Sequence, residues 1–384
     1  MTTSPGPLAD LLILDLSRVL AGPYATMVLS DLGARVVKVE RPGSGDDSRH
    51  IGPFKDGQSA YFASINRGKQ SIALDLAAAD DRAVFDALLA RADVLVENFR
   101  PGVMTKLGYG WPTLHTRHPQ LIYAAASGFG HTGPDAARPA YDMVVQALGG
   151  IMSVTGWPGG KPTRVGTSIG DITAGLFTVV GILSALHARA TTGQGCFVDV
   201  AMLDGQIAIL ENAVARYAVS GVAPGPLGAR HPSITPFAAY ACRDGHIVIA
   251  AGNDALFAAL LRGLGLATLA MDARFASNAA RTDHADELAA LLEARLAAND
   301  AAHWLAVLDA AGIPSAPLNN VAEALAHRQV VARNMAITTA FPDGTPLLAA
   351  GNPVKLSGYA DPAVRPKAPA LDEHRAMILG DLGL

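Results

Sequence analysis

Apolar and polar residues in the N-terminal part of the chain follow the periods of alternating strands and helices. Residues 11–16 are a short apolar run, residues 23–32 carry a helical pattern that ends at Gly33, and residues 35–40 resemble a second strand. This order predicts a β-α-β unit. Further predicted elements are strands at 71–76, 94–97, 121–126 and 197–201 and a helix at 82–90. Such alternation favours an α/β fold with a largely parallel sheet covered by helices.

The second half of the chain changes its pattern after residue 218. Residues 219–236 are rich in Gly and Pro, which is typical of a linker or a long loop. A strand is predicted at 246–251, and Ala- and Leu-rich helices follow between 255 and 308. This segment predicts a smaller α+β domain at residues 221–330. The Pro-rich tail from about residue 335 ends in a last helix near residues 372–382.

Length and composition limit the class of protein. A chain of 384 residues is long enough for two domains, and 50% hydrophobic with 17% charged residues is typical of a globular enzyme. A net charge of −4 gives no general attraction to nucleic acid or to acidic membranes. No run reaches about 18 uninterrupted apolar residues, and the run at 11–16 is short and contains Asp15, so we expect no membrane span and no signal peptide. We therefore expect a cytoplasmic protein.

Several common kinds of site are not predicted. Cys196 and Cys242 are far apart, and none of the 11 histidines has metal-ligand spacing with an acidic neighbour, so we expect no disulfide framework and no metal site. The turn at residues 17–23 has one glycine where a dinucleotide-binding turn needs three. The chain also has no P-loop and no nucleophile elbow, which removes those two classes.

Asp171 is the most informative single residue. It follows Gly170 and opens the apolar helical pattern that runs to about residue 189. A carboxylate at a helix N-terminus is stabilised by free backbone N–H groups and by the helix dipole. Asp171 is therefore either an N-cap or a covalent nucleophile whose oxyanion the same N–H groups stabilise. The two roles are compatible, and the local pattern alone favours the cap.

Six segments occur together in a fixed order along the chain. They are LSRVLAGP at 16–23, VKVERPGSGD at 37–46, DVLVENFRPG at 93–102, GFGHTGP at 128–134, RPAYD at 138–142 and GTSIGD at 166–171. Together they resemble the class III coenzyme A transferases, such as the formyl-CoA:oxalate, crotonobetainyl-CoA:carnitine and succinate–hydroxymethylglutarate enzymes. The superfamily also contains α-methylacyl-CoA racemase. The resemblance covers nearly the whole chain.

The resemblance implies a fold, a partner and a nucleophile. It implies a large Rossmann-like domain with a parallel sheet, formed by residues 1–220 together with residues 331–384, and an interlocked homodimer whose chains cannot separate without unfolding. It also implies that Asp171 attacks the acyl-CoA thioester to form an aspartyl anhydride, which the CoA thiolate converts into an aspartyl-CoA thioester. Acyl-CoA is then a substrate, and no permanently bound cofactor or metal is expected.

The resemblance also implies a CoA site. The residues that match positions around the nucleotide, the phosphates and the pantetheine are Val19, Ala21, Arg41, Leu74, Asn98, Phe99 and Lys106. Arg100 and Arg138 are weaker candidates for phosphate contacts. Taken alone, each Arg or Lys would be interpreted as a solvated surface charge, and Asn98-Phe99 as a turn at the end of a strand. Arg41 is the strongest candidate because arginine recognises phosphate in a planar, bidentate way.

Positions on the acyl side depart from the family pattern. Leu20 stands where the formyl-CoA:oxalate enzymes carry a carboxylate-binding glutamine, so oxalate is expected to be a poor acceptor. Tyr141 stands where the racemases carry a catalytic histidine, which favours the transferase. Tyr61 and His231 are further candidates for the substrate side, and His131 is a candidate near the site. A histidine in such a Gly/Pro-rich loop is more often structural.

The covering loop differs as well. The consecutive glycines that cover the nucleophile in the formyl-CoA:oxalate enzymes are missing, and residues 225–231 are the nearest counterpart.

The sequence therefore predicts a CoA-transferase that moves CoA from a dicarboxylic or short-chain acyl-CoA to a carboxylic acid. A 2-methylacyl-CoA racemase is the alternative enzyme, and a non-catalytic CoA-binding protein is a less favoured third interpretation.

Overall fold

A computed structural model describes residues 6–384, which group into two compact units. The first unit contains residues 6–152, 164–222 and 325–384, and the second contains residues 153–163 and 223–324. Residues 153–163 fall inside the range predicted for the large domain but group with the second unit. The domain boundaries drawn from the sequence stay a prediction, and residues 1–5 lie outside the described residues.

The first unit is built from strands and helices that alternate along residues 12–220. Its strands are β1 (Leu12–Asp15), β2 (Arg35–Glu40), β3 (Phe54–Lys55), β4 (Gln58–Ser59), β5 (Gln70–Ala73), β6 (Val94–Glu97), β7 (Ile122–Ser127) and β8 (Phe197–Ala201). Its helices are α1 (Ala21–Asp31), α2 (Ala60–Ile65), α3 (Ala79–Leu89), α4 (Val103–Lys106), α5 (Trp111–Arg117), α6 (Asp142–Leu148), α7 (Ile151–Val154), α8 (Ile169–Thr192), α9 (Met202–Ile209) and α10 (Glu211–Ser220).

The second unit has a three-stranded antiparallel sheet and four α-helices within residues 223–320. Its elements are β9 (Phe237–Cys242), β10 (Gly245–Ala250), β11 (Ser315–Pro317), α11 (Asp254–Gly263), α12 (Asn278–Asp283), α13 (Ala285–Leu296) and α14 (Ala301–Ala310). The sheet and helices share an apolar core that includes Ile247, Leu260, Leu292 and Trp304. The predicted smaller α+β component is confirmed.

The chain then returns to the first unit. The return falls within α15 (Val321–Ala326), whose residues 321–324 group with the second unit. The closing elements of the first unit are α16 (Arg328–Ala332), β12 (Ala336–Ala340), β13 (Pro346–Ala350) and α17 (Arg375–Leu382). Helix α17 packs beside β5, and Ile378 is buried in the core of the first unit. The C-terminal segment therefore completes a core that the N-terminal segment begins.

The main sheet has six parallel strands in the order β5-β2-β1-β6-β7-β8. Its central strands are apolar because both faces are covered by helices, and β6 is buried along its whole length. The predicted parallel α/β sheet is confirmed, and β2, β6 and β8 have the predicted bounds. Strand β5 ends at Ala73, before the predicted residue 76, because the Asp75 side chain accepts a hydrogen bond from the Ala77 N–H (3.0 Å) and forms a turn.

Helices α1 and α8 pack together on one face of this sheet. Leu29 of α1 and Ile182 of α8 join Ile13 and Val94 of the central strands in one buried core. By length and composition, α8 is the one described helix that could cross a membrane, and 44% of its most apolar window is buried. Its packing against the sheet is what a core helix of a globular enzyme shows, so the feature is weak evidence for a membrane span.

Candidate active site

Asp171 lies in the first turn of α8. The helix begins at Ile169 and its N-cap position is Ser168, so the predicted location of Asp171 at a helix N-terminus is confirmed. The interpretation of Asp171 as the N-cap itself is wrong, because the helix starts two residues before it. The carboxylate is therefore available for another role, while it still lies within the favourable end of the helix dipole.

Burial and charge perturb this carboxyl group. Burial, together with the negative charge of the neighbouring Asp142, raises the pKa of Asp171 to about 7. A hydrogen bond from the backbone N–H of Ala21 opposes these effects and lowers the pKa of Asp171. Near neutral pH the group is thus divided between its acid and its carboxylate, which is typical of residues with a chemical role.

Asp142 fixes the start of α8. Its Oδ1 accepts a hydrogen bond from the Gly170 N–H (2.8 Å), and its Oδ2 accepts one from Gln146 Nε2 (2.8 Å). A Cβ at Gly170 would lie 2.7 Å from a Val145 methyl group and 3.0 Å from Asp142 Oδ1. The glycine before Asp171 is therefore needed so that α6 and α8 can approach each other.

A second glycine brings α1 close to the same point. A Cβ at Gly175 would lie 2.8 Å from the Ala21 carbonyl oxygen and 3.1 Å from Tyr24 Cδ1. Because Gly175 has no side chain, the first turn of α1 can lie against the first turn of α8. This close approach lets the Ala21 N–H reach Asp171.

Two cavities open at the carboxyl-terminal edge of the parallel sheet. The larger has a volume of about 580 Å³ and is lined by residues that follow β1, β2, β5 and β6. The smaller has a volume of about 230 Å³ and contains Asp171 in its wall. Arg18, Phe99 and Arg100 line both cavities. Strands β1 and β6 are neighbours at which the chain direction across the sheet reverses, and such switch points are where parallel α/β sheets bind ligands.

The structure brings most predicted CoA-site residues to these cavities. The larger cavity is lined by Arg41, Leu74, Phe99 and Arg100, and the smaller by Val19, Ala21, Asn98, Phe99, Arg100 and Arg138. Within residues 6–384, the side chains of Arg41 and Arg100 have no ion pair or hydrogen bond, whereas Arg138 pairs with Asp135 (2.9 Å). Lys106, on α4, lines neither cavity. Arg41 and Arg100 are therefore the cavity cations with free charge.

The predicted substrate-side residues are more scattered. Leu20 and Tyr141 line the smaller cavity, where Leu20 is buried and Tyr141 is 77% exposed. Tyr61, on α2, is half-buried, and its burial together with the charge of Asp171 raises the pKa of its hydroxyl to about 12. His231 belongs to the second unit, where its ring stacks on Phe237 at 5.3 Å.

His131 lines neither cavity. Its ring packs on Phe197 at 5.1 Å, and its Nε2 lies 3.8 Å from Glu97 Oε1. Burial lowers the pKa of His131, while it raises the pKa of Glu97 to about 7. These contacts favour a structural role for His131 in the first unit.

The comparisons with known proteins agree with this geometry. The model of CoA-transferase family III matches residues 8–375. The chain belongs to CoA-transferase family III. It is 50% identical to an acetyl-CoA:oxalate CoA-transferase of Acetobacter aceti, over 97% of this chain and 95% of the relative. It is 37% identical to a succinate–glutarate CoA-transferase of Agrobacterium fabrum, over 100% of this chain and 98% of the relative.

Solved structures show the same relationship. A CaiB/BaiF family protein from Brucella suis superimposes with a TM-score of 0.87 at 41% identity, covering 99% of this chain and 100% of that one. The protein is thus a family III CoA-transferase, which uses CoA thioesters and carboxylic acids as substrates. Among residues 6–384, no group of three or more His, Cys, Asp or Glu side chains is arranged to hold a metal ion.

Two residues of this site, Asp142 and Arg18, were not identified from the sequence. Asp142 was quoted as the last residue of RPAYD, but its bond to Gly170 spans 28 positions and left no local signal. Arg18 lines both cavities, lies over the Phe99 ring at 5.1 Å and pairs with Asp47 at 3.1 Å. Its position directly before Val19 in LSRVLAGP was the available signal.

The raised pKa of Asp171 predicts a pH-dependent effect on stability. Because the folded-state pKa, about 7, exceeds the unfolded value of 3.8, ionisation of Asp171 increasingly disfavours the folded state as pH rises from about 4 to 7. We expect Asp171→Asn to unfold at higher urea than wild type at pH 8, by on the order of 1–3 kcal/mol, with the gain shrinking toward pH 4.

Urea unfolding at pH 4, 6 and 8 measures this difference. Asp10→Asn, at an exposed carboxylate, is the control and should show no comparable gain at pH 8. If Asp171→Asn does not increase the free energy of unfolding at pH 8, or increases it equally at all three pH values, the result would contradict the raised pKa of Asp171.

Proposed function

We propose that this enzyme transfers CoA from a dicarboxylic or short-chain acyl-CoA to a carboxylic acid acceptor, with Asp171 as the covalent nucleophile. The observation that carries the proposal is a partly buried carboxylate at the start of α8, in the wall of a small cavity that shares Arg18, Phe99 and Arg100 with a larger one. This arrangement suits attack by Asp171 on a thioester carbonyl in the smaller cavity while the CoA portion lies in the larger one.

The proposed sequence has four steps. The Asp171 carboxylate attacks the thioester carbonyl, the C–S bond breaks, and a mixed anhydride and the CoA thiolate form. The thiolate then attacks the aspartyl carbonyl, which releases the donor acid and leaves an aspartyl-CoA thioester. The acceptor carboxylate attacks that carbonyl and displaces the thiolate, giving a new anhydride. The thiolate finally attacks the acceptor's acyl carbonyl, which yields the new acyl-CoA and free Asp171.

The surroundings of Asp171 support this chemistry. A poorly solvated carboxylate is a stronger nucleophile than a hydrated one, and limited access of water protects an anhydride from hydrolysis. The Ala21 N–H, which already donates to Asp171, is placed to stabilise the oxyanion that forms on the aspartyl carbonyl. Asp142 disfavours a second negative charge nearby and so keeps part of Asp171 protonated in the absence of substrate.

The larger cavity is the proposed site of the CoA nucleotide. Its free arginines, Arg41 and Arg100, can pair with phosphate oxygens without giving up an existing partner. Leu74 and Phe99 supply apolar surface in the same cavity. Val19 and Ala21 then line the path from this cavity toward Asp171. Roles for Lys106 and Arg138 in CoA binding remain predictions.

The identity of the acids is a narrower question. The names of the relatives include oxalate and glutarate as well as acetyl-CoA and succinate, which supports dicarboxylic acids as a substrate class. The expectation from Leu20 that oxalate is a poor acceptor stays a prediction, and the 50% identical relative makes oxalate the most informative acid to test. We propose that Leu20, which is buried in the wall of the smaller cavity, disfavours oxalate.

We also propose that the enzyme is a homodimer. Helices α6, α8 and α9 pack against one another in the first unit, and α10 follows them. Their exposed large apolar side chains include Met143, Leu148, Phe177, Val180, Ile207 and Val219. Monomeric proteins rarely expose so many apolar groups on neighbouring elements, and a second copy of the chain is the proposed cover. That the two chains interlock is part of the proposal.

The first experiment tests the nucleophile. Asp171→Ala should abolish transfer while it leaves CoA affinity within about threefold of wild type, because the change removes the reacting carboxylate and no CoA-binding group. Transfer assays with a panel of acyl-CoAs and acids, including oxalate, measure activity, and calorimetry measures CoA binding. In wild type, hydroxylamine added with acyl-CoA should modify Asp171. Near wild-type transfer by Asp171→Ala would refute the mechanism.

The second experiment tests the CoA cavity. Arg41→Ala should weaken CoA binding by about ten- to a hundredfold, since a charge-assisted phosphate contact is worth about 1.5–3 kcal/mol. Calorimetry gives the Kd of each protein. Arg117→Ala is the matched control, because Arg117 pairs with Asp86 and lines neither cavity. An unchanged Kd for Arg41→Ala would remove Arg41 from the proposed site.

The third experiment separates transferase from racemase. A racemase must exchange the α-proton of its thioester with solvent through groups on both sides of the α-carbon. Tyr141 replaces the racemase histidine, and a phenol lacks the basic ring nitrogen with which an imidazole accepts a proton from a carbon acid. We expect no deuterium at the α-carbon when the enzyme and 2-methylacyl-CoA are incubated in D₂O. Rapid acceptor-independent uptake of deuterium would favour the racemase.

A further inference from the structure

Val19 has an unusual backbone conformation. Its φ angle is +65°, in the left-handed region that β-branched residues rarely adopt. The other non-glycine residues with positive φ among residues 6–384 are Asp56, Glu211, Asn334 and Asp372, all of them polar. Val19 lies between β1 and α1, in the wall of the cavity that contains Asp171. A strained residue at such a place is evidence for a functional constraint.

Side chains from other segments hold this turn. The Arg18 N–H donates to Asn98 Oδ1 (2.8 Å), and Asn98 Nδ2 donates to the Arg18 carbonyl (2.7 Å). The next N–H, that of Val19, donates to Asp46 Oδ1 (3.0 Å). The conformation of the turn is therefore imposed from outside, by Asn98 after β6 and by Asp46 after β2.

Asp46 is itself fixed by a buried lysine. Lys38 Nζ lies 2.8 Å from Asp46 Oδ2, and both side chains are fully buried. The same Nζ donates to the Ser17 carbonyl (2.7 Å), so Lys38 also holds the residue at the start of the turn. Asp46 Oδ1 further accepts from the Ser48 N–H (2.8 Å). Asp46 therefore has little freedom to leave Val19.

The turn determines where α1 begins. Helix α1 starts at Ala21, two residues after Val19. Ala21 and Asp171 line the same cavity, and the Ala21 N–H lowers the pKa of Asp171. We propose that Asp46, held by Lys38, is a positioning residue that keeps Val19 left-handed and thereby directs the Ala21 N–H at the Asp171 carboxylate. This role presupposes Asp171 as the nucleophile of the proposed function.

The groups that face Asp171 define a distinctive readout. Asp142 from α6 and Tyr61 from α2 are the titratable groups that interact with it, and α1 contributes the Ala21 N–H. Only the Ala21 contact depends on Val19. Loss of that contact raises the pKa of Asp171, because the N–H stabilises the ionised form. The acid limb of the profile of kcat/KM against pH should then move to higher pH.

Asp46→Ala and Asp46→Asn are expected to have different effects on the pH of this acid limb. Asp46→Ala removes the acceptor for the Val19 N–H, and we expect the acid limb to rise by about half a pH unit or more. Asp46→Asn keeps an Oδ1 acceptor for the Val19 N–H but removes the negative charge that pairs with Lys38. Both the lost negative charge and the unpaired Lys38 favour the ionised form of Asp171, so the limb should stay or move slightly downward. In the Asp46→Ala background, Val19→Gly should return the limb toward wild type, since glycine adopts positive φ without strain.

A matched control separates positioning from general stability. Asp31 is a buried carboxylate at the other end of α1 that pairs with Arg67 at 2.6 Å, and Asp31→Ala should leave the limb in place even where it lowers the melting temperature. If Asp46→Ala does not fold, Asp46→Ala/Lys38→Met removes both buried charges and carries the same expectation.

The outcomes are distinct. An unmoved limb in folded Asp46→Ala, or an equal movement in Asp31→Ala, would overturn the positioning role. A shift without rescue by Val19→Gly would overturn the link through the turn. Full transfer activity in Asp171→Ala would instead overturn the nucleophile on which this role depends. A raised limb in Asp46→Ala together with rescue by Val19→Gly supports the proposal.

Discussion

The contact between the first turns of α1 and α8 is the constraint on which the site depends. Gly175 leaves room for the Ala21 carbonyl, and the Ala21 N–H reaches Asp171 as a result. Two helix N-termini then point at one carboxylate, which favours its ionised form. Burial and Asp142 oppose ionisation, and the balance gives the pKa of Asp171 its value of about 7. A shift of either helix would change that balance.

The local pattern of apolar and polar residues was enough to predict most strands of the six-stranded sheet. Strands β2, β6 and β8 were predicted with their observed bounds because each is a short segment rich in valine, a residue that favours strands. The end of β5 was missed because the turn at Asp75 is closed by a hydrogen bond from the Ala77 N–H to the Asp75 side chain and one from the Ala78 N–H to the Asp75 carbonyl, which the apolar run through Leu76 concealed. Hydrogen bonds from a side chain to the nearby backbone compete with the hydrogen bonds of a strand, and the pattern of apolar and polar residues does not reveal them.

The site was only partly predictable. Asp171 and the residues after β1, β2 and β6 were identified because six short motifs resemble those of a known family. The fold brings them together because the carboxyl ends of neighbouring parallel strands meet at one edge of the sheet. The bonds of Asp142 to Gly170 and of Asp46 to Val19 were not, because they join segments 28 and 27 positions apart. Lys38 is one of three charged residues in β2, and only the fold shows that it is buried against Asp46.

The buried charges in β1 and β2 and directly before β5 also need an explanation, since they add little stability. Asp15, Lys38 and Lys69 are fully buried and interact directly, with Lys69 Nζ 2.9 Å from Asp15 Oδ2. Burial alone would lower the pKa of Lys38, but the carboxylates of Asp15 and Asp46 raise it, so the lysine stays charged. Removing such charges from water costs about as much as their attraction returns. We infer that these charges serve to fix the position of the strained turn. Lys38 Nζ donates to the Ser17 carbonyl before the turn, and Lys69 Nζ donates to the Pro23 carbonyl after it.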